Sequence, residues 1–434
     1  MNSSVDILSV TNETSIAEEN IPFDGLQKLR LEALNKFLEK GFPDSKHEEW
    51  KYLNLKPISE TKYNHRVVVS QLKASDLEQF NDAGSDTVNL VFMNGRYCSE
   101  FSGHQSHKHP FSIYSLESRE AELYLETLRN SEDEPFHALN TAFHQGGIMI
   151  HVPDDCRMPM AIHLLHVNDS QVEAVAAHPK CIVVAGKNST FQVIATYHSL
   201  NNFPSLTNTV TEFLIGENAV VEFDIKQNEN SNANHINRVY ARVQRNAVFD
   251  IFTVTMGGAL VRNNLEIILS EPNACAHLNG LTVADGYQVV DNHTVVDHAS
   301  PNCESNQLYK NILDDHSQGV FNGKIFVRKD AQKTNAFQSS KNVLLSNTAV
   351  MNAKPQLEIF ADDVKCSHGA TTGQLDDDAL FYFRSRGIGE RDARALLNYA
   401  FASDVIEKIN NDALKSNLLK LLSQKLNTTV EFEE

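Results

Sequence analysis

Cys366 and His368 stand two residues apart in Cys366-Ser367-His368, just after the acidic pair Asp362-Asp363. On a strand, residues i and i+2 project to one side, so this spacing puts a thiol and an imidazole together. A thiolate is a soft ligand for iron or an iron–sulfur cluster, and an imidazole can stand in for one thiolate. Two ligands do not complete a four-ligand site, so the pair needs substrate, sulfide or another chain. The plainer reading is a buried packing cysteine beside a structural histidine. Two further histidine groups have weaker chemistry. His104, His107 and His109 lie in a Gly/Ser/Pro-bounded loop without an acidic or thiol neighbour, which reads as a solvated loop. His293, His298 and His316 lie among Asp291, Asp297, Asp314 and Asp315, and read as solvated edges.

The segment that carries Cys366 belongs to a long stretch of period-two sequence. From about Ile148, runs rich in Val, Ile, Phe and Thr alternate with polar neighbours, as in Phe191–Tyr197, Ala219–Ile225, Val248–Val254, Leu265–Leu269, Val320–Val327 and Val343–Leu345. Turn units recur at Asn188, Asn218, Asn246, Asn273, Asn302, Asp330 and Asp362, every 27 to 32 residues. A second set of breakers (Asn230, Gly257-Gly258, Asp285-Gly286, Gly319 and Asn347) falls midway in each interval. A fixed long period predicts stacked coils of two strands and two turns, whereas a sandwich has no reason to keep one.

Helical sequence flanks this core. Leu26–Lys40 predicts an amphipathic helix with Leu31, Leu34 and Leu38 on its stripe, and Ser75–Phe80 and Leu116–Asn130 predict two more. After Gln374, Asp376 caps a short helix ending at Gly387, followed by Glu390–Ile409 and Asp412–Leu426, the last with Leu414, Leu418 and Leu422 in register. The expected division is a mostly helical region with a polar leader over 1–145, the solenoid over 146–375 and a helical domain over 376–434. Helices at both ends would protect the open strand edges of a solenoid.

Composition narrows the function. Lys plus Arg total 38 against 56 Asp plus Glu, a net charge of −18, which argues against a nucleic-acid surface. No apolar run approaches the roughly 20 residues of a membrane span. The first basic residue is Lys28, after several acids, so neither a secretory nor a mitochondrial leader is expected. Six cysteines without a C-x-x-C pair suit a reducing cytoplasm. There is no P-loop, no G-x-S-x-G and no second histidine for a zincin at His47-Glu48, and Gly387-Ile388-Gly389 meets Asp392 where a third glycine would stand.

Several blocks resemble the SufB/SufD family of iron–sulfur cluster assembly proteins, and its SufD branch in particular. They are Lys354-Pro355-Gln356-Leu357-Glu358-Ile359, Ala361 through Thr371, Leu380-Phe381-Tyr382 with Arg384-Ser385-Arg386-Gly387-Ile388, Pro301-Asn302-Cys303-Glu304-Ser305, Val320-Phe321-Asn322-Gly323 and Glu48-Glu49-Trp50-Lys51-Tyr52. The resemblance implies a right-handed parallel β-helix between helical terminal regions, in a subunit that is not itself an enzyme. It implies a SufB-like paralogue docked at the β-helix end, a SufC-like ABC ATPase on the carboxy-terminal helices at Leu380, Phe381, Tyr382, Arg384 and Arg386, and sulfur-donor proteins reached through the complex. It also implies a nascent iron–sulfur cluster or iron shared with SufB at His368 and Cys366, with a flavin as a further cofactor at the level of the complex and a homodimer as the form open to the isolated chain. A different class stays open beside it: parallel β-helices also host polysaccharide lyases and hydrolases, for which Asp285, Asp291, Asp297, Asp314 and Asp315 would supply carboxylates. A structural adaptor without cluster ligands is the third.

Overall fold

The computed structural model describes residues 24–65, 72–105, 107–127, 134–170 and 173–426. Its centre is a parallel β-solenoid of about eight turns with two walls. The first wall stacks Thr87–Met93, Ala161–Asn168, Thr190–Ser199, Val220–Asn228, Val248–Thr255, Cys275–Ala284, Glu304–Leu313, Asn335–Leu344 and Lys365–Gly373, all parallel. The second stacks Ile148–Val152, Lys180–Ala185, Ser205–Ile215, Ala233–Val243, Leu260–Leu269, Val289–His298, Gln318–Val327 and Val350–Ile359. Inward positions of the middle coils are apolar and wholly buried, with Val193, Phe213, Phe223, Phe249 and Ile251 in one continuous core. Phe213 packs at 4.9 Å from Phe223 and 5.0 Å from Phe249, ring centre to ring centre.

The coil period has a covalent-scale cause at one corner. Asn188, Asn218, Asn246, Asn273 and Asn302 all take left-handed backbone, with φ between 55° and 63°. Asparagine tolerates that region better than other residues that carry a Cβ. The amides of Asn218, Asn246 and Asn273 also donate Nδ2 to the Oδ1 of the asparagine one coil back, each at 2.9 Å. At the next such corner Lys333, not Asp330, holds the positive φ. Of the second breakers, Gly258 and Gly286 are true turns, but Gly319 lies inside the strand Gln318–Val327. It is small for a different reason: a Cβ there would stand 2.8 Å from Leu313 and Met351.

Helix α1 (Asp24–Lys40) buries Leu26, Leu29, Ala33, Leu34 and Phe37, while Leu31 and Leu38 are 46% and 41% exposed. The expected leucine stripe is therefore displaced, because α1 rests on another helix, α3 (Pro135–Phe143), through the face that also carries buried Arg30, whose guanidinium donates to the His144 carbonyl at 2.7 Å. Helix α2 (Arg119–Thr127) starts three residues into the predicted Leu116–Asn130 helix, whose first residues, Leu116, Glu117 and Ser118, form a turn; residues 128–130 lie outside the described residues. The region before Ile148 also contributes strands. Thr87–Met93 extends the first wall, and the short antiparallel strands Arg96–Cys98 and Ser112–Ser115 finish the two walls at that end.

Helices α4 (Asp377–Ser385), α5 (Glu390–Ile406) and α6 (Asp412–Lys425) begin as expected, with Asp376 accepting from the Asp378 and Ala379 amides and Asn411 from Leu414. Their placement overturns the expectation of a cap on the last coil. Ala402, Val405, Ile406, Leu414, Leu418 and Leu422 pack on Ile194, Phe252, Val254, Leu281, Val283 and Ile312, the outer face of the first wall. The reason is apolar area: those outward wall residues would otherwise face water, at about 1.5–3 kcal/mol for each large side chain. The chain thus runs back along its own flank, where Asn411 reaches the Ala83 carbonyl and Lys226 joins Asp82 (2.7 Å) to Asn417 (2.6 Å). No helix among the described residues is long and apolar enough to cross a membrane.

Candidate functional site

The last coil is left open. Every residue of Val350–Ile359 is half-buried or exposed, and everything after Cys366 in Lys365–Gly373 is exposed. Pro355 sits in mid-strand on that edge, where its missing N–H breaks no ladder bond. Phe337, Val350, Ile359 and Phe360 add exposed apolar area around the same end.

Cys366 pairs with Ala336 and His368 with Gln338 on the preceding strand, so both occupy the inward-facing row. At this end the inward row meets no further coil. Cys366 leans on the small apolar cluster of Ile325, Val327, Ala331, Ala336 and Ala361, and this burial pushes its thiol up from the usual value, with a partial offset from the Ala336 backbone. His368 is exposed. Behind them the interior turns polar. Gln338 is buried with both amide atoms lacking a partner among the described residues, and its Nε2 lies so close over Gly323 that a Cβ there would clash at 2.2 Å. Gln307, one coil further in, accepts from Thr294 at 2.6 Å, and the Tyr309 hydroxyl is buried without a described partner. The pair can present one soft and one borderline donor to a metal species at an open edge; completing a four-coordinate site needs ligands from elsewhere.

The other histidine group is dispersed and mostly not solvated, contrary to expectation. His298 lies inside the coil, bonded to Ser305 at 2.8 Å, and burial brings its pKa down to about 4. His293 is buried on the outer face of the second wall, between Asp291 (3.0 Å) and Glu49 (3.3 Å). Only His316 stays at an open turn, stacked on Tyr287. The Glu49 partner of His293 comes from far upstream in the chain, beyond the reach of local spacing: the Glu48–Trp50 turn lies on this wall. Arg262 stacks on the Trp50 ring at 3.8 Å, donates to the Glu49 carbonyl at 2.7 Å and pairs with Asp291 at 2.8 Å. The His293 hydrogen bond, above all, holds Glu49 down at about 2. Lys354 of the last strand reaches Glu48 at 2.6 Å.

The carboxylates do not form an acid–base pair. Asp291 is held by Arg262, Asp297 by a bidentate Arg328 (2.6 and 3.0 Å), Asp285 by Lys425 (3.0 Å), while Asp314 and Asp315 accept backbone amides in a turn. In the loop of His104, His107 and His109, His104 bonds the Phe111 carbonyl and His107 is exposed. Among the described residues no group of three His, Cys, Asp or Glu side chains is arranged to hold a metal. On α4, Leu380 is buried, whereas Phe381 and Tyr382 are 74% and 56% exposed. Arg384 pairs with Glu390 at 3.5 Å, and Arg386 lies over the Tyr382 ring at 5.3 Å.

These features define an assembly-type protein: a parallel solenoid closed at one end, with an exposed donor pair and exposed aromatics at the other. Comparison with known proteins agrees. Residues 166–401 match the family model described as SUF system FeS cluster assembly, SufBD core domain, and residues 7–164 match the SufBD protein N-terminal region. The chain is 31% identical over 394 residues to an iron–sulfur cluster assembly SufBD family protein of Synechocystis, covering 88% of this chain and 87% of that one. It is 30% identical over 404 residues to the iron–sulfur cluster assembly protein SufD of Escherichia coli, covering 91% of each, and 26% identical over 298 residues to SufD of Bacillus subtilis, covering 68% of each. The chain belongs to the SufBD family of iron–sulfur cluster assembly proteins and is SufD-like within it.

Proposed function

We propose that this chain is the non-catalytic SufD-type subunit of a SufBCD-type scaffold in the cytoplasm, and that His368 with Cys366 receives iron or a nascent cluster at a seam with a SufB-like paralogue. The observation that carries this reading is the unfinished coil. Its edge strands offer unpaired backbone groups that a second solenoid end can continue, and its inward row places a thiol and an imidazole where that continuation would lie. The thiol is held protonated at neutral pH, so it stays inert until an incoming cation displaces the proton. Loading through Cys366 is therefore expected to weaken as pH falls.

A SufC-like ATPase docks on Phe381 and Tyr382, with Leu380 anchoring α4 and Arg384 and Arg386 framing the aromatics. Large aromatics exposed on a short helix, beside arginines, have the composition of an interface hot spot. ATP-driven movement of α4 and α5 would shift the seam, since α5 is packed directly on the first wall. The six free cysteines suit a reducing compartment.

The test is anaerobic reconstitution with SufB- and SufC-like partners, iron and sulfide, followed by absorption spectra that also report any flavin. His368→Ala is expected to abolish most cluster absorbance with complex assembly retained; unchanged loading overturns the ligand role and leaves a structural adaptor. Phe381→Glu with Tyr382→Glu is expected to lose ATPase pull-down while keeping the melting temperature, and retained binding refutes the docking surface. Point substitutions replace truncation here because α5 and α6 cover apolar wall residues.

A further inference from the structure

A second thiol is set up for chemistry on the opposite side of the first wall. In Cys275–Ala284 the inward residues are Ala276 and Leu278, both fully buried, so Cys275 and His277 face outward. Asp250 is the register partner of His277 on the neighbouring strand. His277 Nδ1 lies 2.6 Å from the Asp250 carboxylate, and its Nε2 lies 3.5 Å from Cys275 Sγ. With Nδ1–H donated to the carboxylate, the ring is oriented with Nε2 at the sulfur, where an imidazolium pairs with the thiolate that is the reactive form of a cysteine. The imidazolium is favoured in turn: the Asp250 hydrogen bond first, and the Cys275 one second, raise the His277 pKa to about 10.

The group is accessible. The His277 and Asp250 side chains are 39% and 30% exposed. Helices α5 and α6 cover the far half of this strand, at Leu281 and Val283, and Lys408 reaches only as far as Asn279. The other charges near the group on adjacent strands are Glu222, in the row of Asp250 and held by Asn410, the buried Asp224 two residues on, which feels Asp250, and Glu304, the register partner of Cys275; all are carboxylates. None supplies a competing cation. Cys303, at the next corner, is buried with its thiol pushed up to about 11. Three strand spacings separate Cys275 from the Cys366 strand, roughly 14 Å, and the two thiols face opposite sides of the wall.

We infer that Cys275, His277 and Asp250 form a thiol-exchange site whose substrate is the electrophilic sulfur of an S–S bond. The alternatives fail on geometry. Both nitrogens of His277 are engaged, in opposite directions, so the three side chains do not converge on a metal position. Acyl transfer needs free N–H donors for an oxyanion, and here the Cys275 amide is bonded to the Ala247 carbonyl at 2.9 Å in a continuous parallel ladder. Attack on sulfur generates no such oxyanion. The Cys275 thiolate, paired with the His277 imidazolium, attacks one sulfur of R–S–S–R′, a new Sγ–S bond forms, the S–S bond breaks, and R′–S⁻ leaves and takes up the proton that Cys275 gave to solvent on ionising. The disulfide is the oxidant, and no other co-reactant is required.

The full-length chain, reduced and then exposed at pH 7 to glutathione disulfide in one arm and to a folded protein carrying an accessible disulfide in the other, tests this by mass spectrometry of trapped mixed disulfides. Cys275 is expected to react at least tenfold faster than Cys366 in one or both arms, and the reacting arm identifies the source. His277→Gln is expected to lower that rate about tenfold or more and to change the pH–rate profile, with Asp250→Asn intermediate and thermal melting as the folding control. Equal rates at Cys275 and Cys366, or a rate and pH profile untouched by either substitution, would overturn the assignment. Because Cys366 is only the comparator, failure here leaves the cluster proposal standing.

Discussion

The two ends of the solenoid are built from one repeat and finished in opposite ways. At the first end Phe92, His166 and Tyr197 stack in one interior column at 4.5–4.6 Å, and short antiparallel strands cover both wall edges. Buried histidines accumulate there: His144, His163, His166 and His178, with His65 packed against His178 at 3.1 Å. At the last end the interior column is Gln307, Gln338 and His368, and neither wall edge is covered. A parallel ladder cannot end without leaving donors and acceptors unpaired. Such an edge, left long and exposed in an otherwise closed protein, is where the ladder can be continued.

The largest effect should come from the closed half. Phe213→Ala removes a fully buried ring from the aromatic core and is expected to cost about 3–5 kcal/mol in denaturant titration. Phe337→Ala, on the exposed side of the open end, should stay within about 0.5 kcal/mol. Similar losses at both sites would erase the contrast.

Acid should separate the ends next. Burial lowers His65 to about 4 and His163 to about 3, and takes His144, His166 and His178 well below their usual range. Toward the open end only His298, at about 4, shares this among the described residues. A base whose folded pKa is depressed binds fewer protons folded than unfolded, so stability is full above about pH 6.5 and declines as pH falls toward the folded values. Hydrogen exchange at about pH 5 is expected to open Ala161–Asn168 and Lys180–Ala185 before Gln318–Val327. The reverse order would show that the histidines do not set acid stability.

The amino-terminal latch gives a smaller change. Glu49→Gln removes the carboxylate facing His293 and should cost about 1–2 kcal/mol, with faster limited proteolysis around residues 44–54. Glu49 has a depressed folded pKa, so its contribution is present above the ordinary carboxylate pKa and is lost as pH falls through about 2. Asn246→Gly keeps the left-handed turn but breaks two rungs of the asparagine ladder, and should cost about 1 kcal/mol in thermal melting. Asn246→Ala should cost more, because it also strains the backbone. Smallest of all, His368→Ala should leave the melting temperature unchanged; a clear drop would mean the imidazole serves the fold rather than a partner.

Much of the repeat was legible because its causes are local. A left-handed corner admits few residue types, so Asn188 through Asn302 announce themselves at the coil period. The period-two runs between them follow from the pleat. The helix cap at Asp376 acts within three residues and could be read in the same way. The Leu31–Leu38 stripe failed because a helix with leucines on two faces does not say which neighbour it will meet. Gly319 failed as a turn because a glycine required by close packing resembles one required by the backbone.

Composition and spacing were enough to specify stacked coils, helical flanks and a thiol two residues from an imidazole, since strand pleat, turn chirality and helix capping depend on a handful of adjacent residues. Only the folded chain could show that the carboxy-terminal helices lie along the flank instead of closing the last coil, that Glu49 secures His293, and that Asp250 lies against His277. Those outcomes join residues tens to hundreds of positions apart, and they follow from which apolar faces and charges remain uncovered once every coil has been stacked.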